Sequence, residues 1–301
     1  MAVLAFIGFG ELGTSLAEGL GRSGSNLLRA YTPERSQPAA AAALEARLVS
    51  AGAQRSSSLK EALAGANAVL SVVPAGASRD VAERSAPLLA RGAYYVDLTA
   101  ARVADKEAAA EVIEQVGGLY VDAAVLGTVA TSGFEVPIVA SGPGAHGWRA
   151  LVVPQGLVVE VLDAPAGHAT LVKLLRSVYM KGRDALILEM MIAARRYGLE
   201  ELVARSIQGP GETVPFPALA ERVLRALAVH ADRRADELLA SSEVVRAVGV
   251  DPVITRAGSQ VLRGVAELEL RDVFHRERPS SGDDVLAAID ERSGRSTLGD
   301  E

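Results

Sequence analysis

The chain has no cysteine, only four histidines and few aromatic residues. Without cysteine it can form neither a disulfide nor a thiolate nucleophile, and sulfur cannot ligate a metal. The histidines are scattered singly and lack the spacing of metal ligands, so we expect no bound metal. These absences remove disulfide-stabilised proteins, cysteine-dependent enzymes and metal-binding domains from the candidate classes.

The sequence also lacks a long apolar run and a block of basic residues. No apolar stretch is long enough to span a bilayer, and the apolar N-terminus is too short and too uncharged for a signal peptide. The net charge of −6 argues against nucleic acid as a partner. We therefore expect a soluble cytoplasmic protein that binds neither membranes nor nucleic acids.

The 301 residues are enough for two domains with substantial cores. In the first half, apolar strand patterns alternate with helical ones, which predicts a parallel sheet with crossover helices. From Pro165 onward the pattern is helical, starting with a long helix over residues 166–197. We predict an α/β fold with a Rossmann-like domain, residues 1–164, and an all-α domain, residues 165–301. A break at residues 279–283 precedes a tail that we expect to be peripheral.

The N-terminus carries the strongest functional signal. An apolar strand pattern is followed at once by a glycine turn and the start of a helix, with the sequence Gly8-Phe9-Gly10-Glu11-Leu12-Gly13. This context indicates a dinucleotide-binding turn. Gly8 permits the tight turn, Gly10 lets the backbone approach a pyrophosphate, and Gly13 lets the helix pack closely on the strand. The N–H groups at the helix start then face the phosphate charge.

The end of the second predicted strand bears on the choice between NAD and NADP. An NAD site usually has Asp or Glu there, about 20 residues past the glycines, whereas this strand ends at Tyr31 or Thr32. Thr32 can hydrogen-bond a 2′-phosphate, and Arg35 or Arg29 can pair with it. Glu34 is the counter-evidence, because it could turn back to the ribose. We expect NADP, with NAD as the alternative.

A polar stripe runs along the first half of the long predicted helix. On a helical period the stripe comprises Thr170, Lys173, Ser177, Lys181 and Asp184, and it is separate from an apolar sector. From periodicity alone, a solvated face with a Lys–Asp pair explains it as well as a site does. Its position at the junction of a dinucleotide domain and a helical domain favours a substrate site.

Four segments form a recognisable pattern. They are the glycine turn, Ser71-Val72-Val73-Pro74, Val121-Asp122-Ala123-Ala124-Val125-Leu126-Gly127-Thr128, and Gly167 followed by Lys173. A strand end, Asp97-Leu98-Thr99, adds to it. The pattern resembles the β-hydroxyacid dehydrogenase superfamily, which includes 6-phosphogluconate and 3-hydroxyisobutyrate dehydrogenases. Its details are similar to a bacterial subgroup whose C-terminal domain has no known function.

The resemblance implies an NAD(P)-dependent oxidoreductase that transfers a hydride between nicotinamide and a small hydroxy or oxo acid. It implies Lys173 as the general acid/base and Ser177 as its orienting partner. Lysine can act in this way if burial or a neighbouring cation lowers its pKa, and on the helix Lys181 or Arg176 could supply that cation. The cofactor would lie beside Gly8, Phe9, Gly10, Glu11, Leu12, Gly13, Thr32, Arg35, Val73, Pro74 and Thr99. The substrate would lie near Gly127, Thr128 and Lys181. A homodimer through the helical domain is also implied.

Two departures from the family pattern bear on the substrate. The family's substrate loop usually reads Ser-Gly-Gly, whereas this chain has Leu126-Gly127-Thr128. The asparagines that usually follow the catalytic lysine are replaced by Arg176 and Ser177. Two alternative functions stay open: an imine reductase of similar architecture, against which the presence of a lysine counts, and a non-catalytic NADP-binding scaffold or sensor.

Overall fold

The computed structural model describes residues 1–22, 24–32, 38–207, 209 and 213–294. The chain divides into two compact units, residues 1–177 and 178–301. None of the helices in the described ranges combines the length and the apolar character that a bilayer crossing requires.

The first unit is built on one sheet of eight strands. They are β1 (Ala2–Ile7), β2 (Asn26–Tyr31), β3 (Gln54–Arg55), β4 (Ala68–Ser71), β5 (Tyr94–Asp97), β6 (Leu119–Val125), β7 (Ile138–Ser141) and β8 (Val159–Val161). Their order is β3-β2-β1-β4-β5-β6-β7-β8. Neighbouring strands pair in parallel, except that β7 runs antiparallel to β6. The chain therefore winds outward from β1 in both directions, as in a doubly wound fold.

Helices connect the strands of this unit. They are α1 (Glu11–Gly21), α2 (Pro38–Ala51), α3 (Leu59–Leu63), α4 (Ser78–Ser85), α5 (Val103–Gln115), α6 (Val129–Ser132), α7 (Ala145–Val152) and α8 (His168–Tyr197), which runs on into the second unit. Alternate residues of β1 belong to two different cores: Leu4 and Phe6 to one, Ala5 and Ile7 to the other. The sheet is thus buried on both faces, which explains why its central strands are mostly apolar.

The second unit is helical. After the end of α8 it contains α9 (Glu200–Ser206), α10 (Phe216–Ala247), α11 (Val253–Glu267), α12 (Leu270–Val273) and α13 (Gly282–Arg292). The long α10 is kinked at His230, whose φ of −128° is not helical. A small core joins Ala228 of α10, Leu270 of α12, and Val285 and Ala288 of α13.

The predicted fold class is confirmed, and one local expectation is wrong. The segment beyond residue 283 was expected to be peripheral, yet Val285 is fully buried. Helix α13 begins with a capping box in which Ser281 and Asp284 exchange hydrogen bonds, so it is a well-started helix that completes a core.

Candidate functional site

The sheet register brings the candidate residues to one edge. Ile7, Ser71, Asp97 and Asp122 are register partners across β1, β4, β5 and β6. Because these strands are parallel, the residues that follow each of them lie at the same carboxyl edge. The glycine turn, the Val73-Pro74 loop, Thr99 and the loop after β6 all follow this row. The carboxyl edge of an open α/β sheet is where ligands bind.

The three glycines of the turn meet different surroundings. Gly8 has a φ of +85°, and a β-carbon there would lie 2.6 Å from the carbonyl oxygen of Val72, so only glycine fits. A β-carbon on Gly13 would lie 3.1 Å from the carbonyl oxygen of Gly8. At Gly10, in contrast, a β-carbon would meet nothing within 4 Å. Gly10 is also the N-cap of α1, and no side chain caps that helix start. The space beside Gly10 and the uncapped helix start fit a bound phosphate.

The other residues of the turn are divided between core and surface. Phe9 is buried and packs edge-on against Phe6, with ring centroids 5.7 Å apart, so only its backbone is available to a cofactor. Leu12 packs against the same core, whereas Glu11 is exposed. After β4, Val73 packs against the second core and Pro74 is exposed.

The end of β2 is followed by a buried hydroxyl, that of Thr32, to which no other described residue is hydrogen-bonded. A cavity of about 350 Å³ beside it is lined by Tyr31, Thr32, Arg55, Ser56 and Ser57. The Arg55 guanidinium lies 2.7 Å from the Glu45 carboxylate, and both side chains are about half exposed. The predicted phosphate ligand Arg35 lies outside the described residues.

A buried charge cluster lies below the carboxyl edge, formed by Asp97 of β5, Asp122 of β6 and Lys106 of α5. All three side chains are fully buried. Nζ of Lys106 lies 3.0 Å from Oδ1 of Asp97 and 3.4 Å from Oδ1 of Asp122, and it donates to the Asp97 carbonyl oxygen at 2.7 Å. The cluster thus holds two carboxylates and one ammonium in a water-poor environment.

Hydrogen bonds keep Asp97 ionised. Burial alone would raise its pKa, but the Lys106 ammonium and hydrogen bonds from Ser78 and Thr99 hold that pKa below its usual value. The Ser78 hydroxyl donates to Oδ2 at 2.6 Å, and the Thr99 backbone N–H donates to Oδ1 at 3.0 Å. The Tyr120 hydroxyl donates to Oδ2 at 3.0 Å. Thr99 is itself buried and supports this cluster.

Asp122 fixes the start of α8. Its Oδ2 accepts from the N–H groups of Gly167 and Thr170, and its Oδ1 accepts from the Thr170 hydroxyl. A carboxylate bound to the first N–H groups of a helix also interacts favourably with the helix dipole. The buried cluster is therefore joined directly to the helix that carries Lys173.

Lys173 is half-buried on α8, one turn after Thr170. Burial lowers its pKa, the positive charge of Lys106 lowers it further, and the negative charge of Asp122 opposes them. The hydroxyl of Ser177 donates to the Lys173 carbonyl oxygen at 2.9 Å. A lowered pKa makes the amine of Lys173 a better candidate than an ordinary lysine for giving and accepting a proton.

The predicted substrate residues lie in two places. Gly127 and Thr128 are exposed after β6, and the Thr128 hydroxyl lies 2.9 Å from that of Thr131. Lys181 is exposed and belongs to the second unit. Its role in the substrate site stays a prediction.

Sequence reasoning missed Lys106 and Arg55. Lys106 stands in a charged stretch of α5, between Asp105 and Glu107, and such a lysine usually indicates a solvated face. The available signal was the pair of aspartates inside apolar strands, since two buried carboxylates need a cation. Arg55 lies on β3, a strand of two residues with no apolar alternation.

Comparison with known proteins agrees with this architecture. Residues 3–146 match the family described as the NAD binding domain of 6-phosphogluconate dehydrogenase. Residues 194–265 match a domain of unknown function, DUF1932. These matches confirm the resemblance that the sequence motifs indicate.

Three solved structures illustrate the likeness. A conserved hypothetical protein from Sinorhizobium meliloti is 29% identical, with a TM-score of 0.60 and 97% of each chain covered. A conserved protein of unknown function, described as similar to 3-hydroxyacid dehydrogenases, is 28% identical, with a TM-score of 0.59 over 88% of this chain and 98% of that one. An imine reductase from Myxococcus stipitatus in complex with NADP⁺ shares the fold at 17% identity, with a TM-score of 0.71 over 89% of this chain and 94% of that one.

The family matches cover the glycine turn, the sheet apart from β8, and part of the helical half, and the structural likeness extends over most of the chain. The chain therefore matches an NAD-binding domain of the 6-phosphogluconate dehydrogenase type over residues 3–146 and a DUF1932 domain over residues 194–265, and it shares the fold of proteins described as similar to 3-hydroxyacid dehydrogenases and as imine reductases.

Proposed function

We propose that this protein is an NADP-dependent dehydrogenase or reductase that acts on a small hydroxy or oxo acid, with Lys173 as the general acid/base. The observation that carries the proposal is the half-buried amine of Lys173, with its lowered pKa, in the same compact unit as the glycine turn. The nicotinamide would supply the hydride acceptor or donor, and the protein must manage one proton.

The glycine turn and the loop after β4 would hold the dinucleotide. The N–H groups at the start of α1 and the open space at Gly10 support a pyrophosphate site. Val73, Pro74 and Thr99 follow neighbouring strands at the same edge and would border the nicotinamide half. Residues 1–164 would form the cofactor domain, and residues 165–301 the substrate and dimerisation domain.

The cavity at the end of β2 supports NADP over NAD. Thr32 offers a buried hydroxyl that lacks a partner among the described residues, and Arg55 offers a guanidinium fork suited to phosphate. The ion pair of Arg55 with Glu45 is exposed and therefore weak, so a phosphate can replace the carboxylate. Arg35 remains a second candidate ligand for the 2′-phosphate.

The chain's own part in the reaction is proton transfer and substrate binding. In the oxidation direction the neutral amine of Lys173 takes the hydroxyl proton, and in the reduction direction the ammonium returns it. Ser177 would orient the amine through the lone pairs that remain on its hydroxyl oxygen. N–H groups at Gly127 and Thr128 would bind an anionic substrate oxygen, and Lys181 would pair with a substrate carboxylate or phosphate.

The functional protein would be a homodimer. Along α8, the second unit exposes large apolar side chains, among them Val178 at 73% and Leu188 at 62% of their surface. Contiguous apolar surface of this kind usually marks an interface. A second copy of the chain, with its own α8, is the proposed occupant.

A substrate screen tests the proposed reaction. We expect reduction of NADP⁺, followed by absorbance of the nicotinamide, with at least one small hydroxyacid among sets with and without phosphate groups. A parallel screen follows NADPH oxidation with oxo acids and cyclic imines. Turnover of imines alone would favour the imine reductase alternative. Tight NADPH binding without turnover in either direction would favour a scaffold or sensor.

A further inference from the structure

The chain uses lysine sparingly. Only four of its 31 basic residues are lysines, at positions 60, 106, 173 and 181. Lys60 and Lys181 are exposed, whereas Lys106 is fully buried and Lys173 is half-buried. Lysine can lose its proton inside a protein but arginine cannot. Lys106 and Lys173, the two lysines that are not exposed, both belong to the first unit. Both interact electrostatically with the same carboxylate, that of Asp122.

The carboxylate of Asp122 has no acceptor position left for Lys173. A carboxylate offers about four acceptor positions. Three of those on Asp122 are taken by the N–H groups of Gly167 and Thr170 and by the Thr170 hydroxyl, and the Lys106 ammonium lies 3.4 Å from Oδ1. Lys173 follows Thr170 by one turn on the same helix face, and the charge of Asp122 already acts on its amine, so Asp122 is the carboxylate with which we expect Lys173 to pair if Lys106 were absent.

We propose that Lys106 is a positioning residue for Lys173: by engaging Asp122 it keeps that carboxylate from pairing with Lys173, and so leaves the Lys173 amine free to exchange a proton with the substrate. This inference rests on the proposed role of Lys173 as the acid/base. Lys106 itself is fully buried and directs its donors at Asp97 and Asp122, so it does not touch the substrate.

The charges around Lys173 determine in which direction its protonation should change when Lys106 or the Asp122 charge is lost. Two charged groups act on it, the ammonium of Lys106 on α5 and the carboxylate of Asp122 on β6. Asp97 on β5 is the other partner of Lys106. Loss of Lys106 removes a repelling charge and frees an attracting one, so both effects favour the protonated form of Lys173. Loss of the Asp122 charge acts in the opposite direction.

The test is a titration of the lysine side chains in the intact protein, without cofactor or substrate. With ¹³C-labelled lysine the chain gives four Cε signals, and the variants Lys60→Arg and Lys181→Arg identify the two exposed ones. In the wild type we expect Lys173 to titrate at lower pH than an unperturbed lysine. In Lys106→Met its midpoint should rise by about one pH unit or more. Lys106→Arg, which keeps the charge, should retain a midpoint near the wild-type one.

A second variant keeps the test decisive if Lys106→Met does not fold. Asp122→Asn retains an acceptor oxygen for the start of α8 and leaves Lys106 with Asp97, and in it the Lys173 midpoint should fall. An unchanged Lys173 midpoint in folded Lys106→Met, or in Asp122→Asn, overturns the inference. The titration is independent of turnover, so it separates this inference from the proposed reaction: full turnover in Lys173→Ala would overturn the reaction and leave the titration result standing.

Discussion

At the scale of single residues, Gly10 and Gly8 play different parts in one motif. A β-carbon at Gly10 meets no protein atom within 4 Å, so Gly10→Ala should fold normally while its methyl group occupies the proposed phosphate space. We expect NADPH affinity to fall by about tenfold or more, close to 1.4 kcal/mol, in a fluorescence titration.

Two other glycine variants serve as controls for that prediction. Gly264 on α11 also has open space for a β-carbon, so Gly264→Ala should leave NADPH affinity unchanged. Gly8→Ala should instead destabilise the fold, because Gly8 combines a positive φ with a close contact to Val72. Wild-type NADPH affinity in Gly10→Ala would refute the phosphate cradle.

Cofactor choice is the second prediction at this scale. Arg55→Ala should weaken binding of 2′,5′-ADP by about tenfold and leave 5′-AMP unchanged, because a hydrogen bond to a charged group contributes about 1.5–3 kcal/mol. Glu45→Gln should act in the opposite direction, since it frees Arg55 from its ion pair. Calorimetry with the two nucleotides measures both effects. The variant Arg35→Ala tests Arg35 as the other candidate ligand of the 2′-phosphate. Equal affinity of the wild type for both nucleotides would contradict an NADP site.

At the scale of elements, the sequence predicted what local pattern determines. The apolar strand predicted before the glycine turn is β1, and the second strand, predicted to end at Tyr31 or Thr32, is β2, which ends at Tyr31, because buried parallel strands are recognisable as apolar runs. Helix α7 was missed because it follows a segment rich in glycine and proline. The strand β3 has two exposed residues and is set by its pairing with β2.

The candidate site likewise has one part that local sequence predicts and one part that it does not. The glycine turn was evident from local sequence, since strand, turn and helix are contiguous. The Lys106 cluster was not, because only the register between β5 and β6 brings Asp97 beside Asp122. The suggested neighbours of Lys173, Lys181 and Arg176, came from helical spacing, whereas the charge that lowers its pKa comes from Lys106 on another helix.

Helix α13 provides a prediction at this scale. Val285 is fully buried against Ala228 and Leu270, so Val285→Ala should lower the free energy of unfolding by about 2 kcal/mol. The neighbouring Leu286 is 46% exposed, and Leu286→Ala should change the free energy of unfolding by about 0.5 kcal/mol or less. Denaturant unfolding compares the two variants. Equal effects would mean that α13 does not pack as described.

At the scale of the whole molecule, the exposed apolar residues of α8 predict a homodimer. Light scattering at micromolar concentration should give the mass of two chains. Leu188→Glu, which places a charge at a side chain 62% exposed in the single chain, should shift the protein toward the monomer. Leu286→Glu on α13 is the matched control and should remain dimeric. A monomeric mass for the wild type would refute the proposed assembly.

At the same scale, the proposed reaction as a whole depends on Lys173. Once the screen supplies a substrate, kcat should be compared in the wild type, Lys173→Ala and Lys173→Arg, with NADPH affinity measured beside it. We expect Lys173→Ala to lower kcat by about 10²–10⁴-fold and to leave cofactor affinity nearly unchanged. Lys173→Arg should restore little, because arginine cannot give up its proton. A kcat near the wild-type value in Lys173→Ala would contradict the account, since the proton would then have to come from another group.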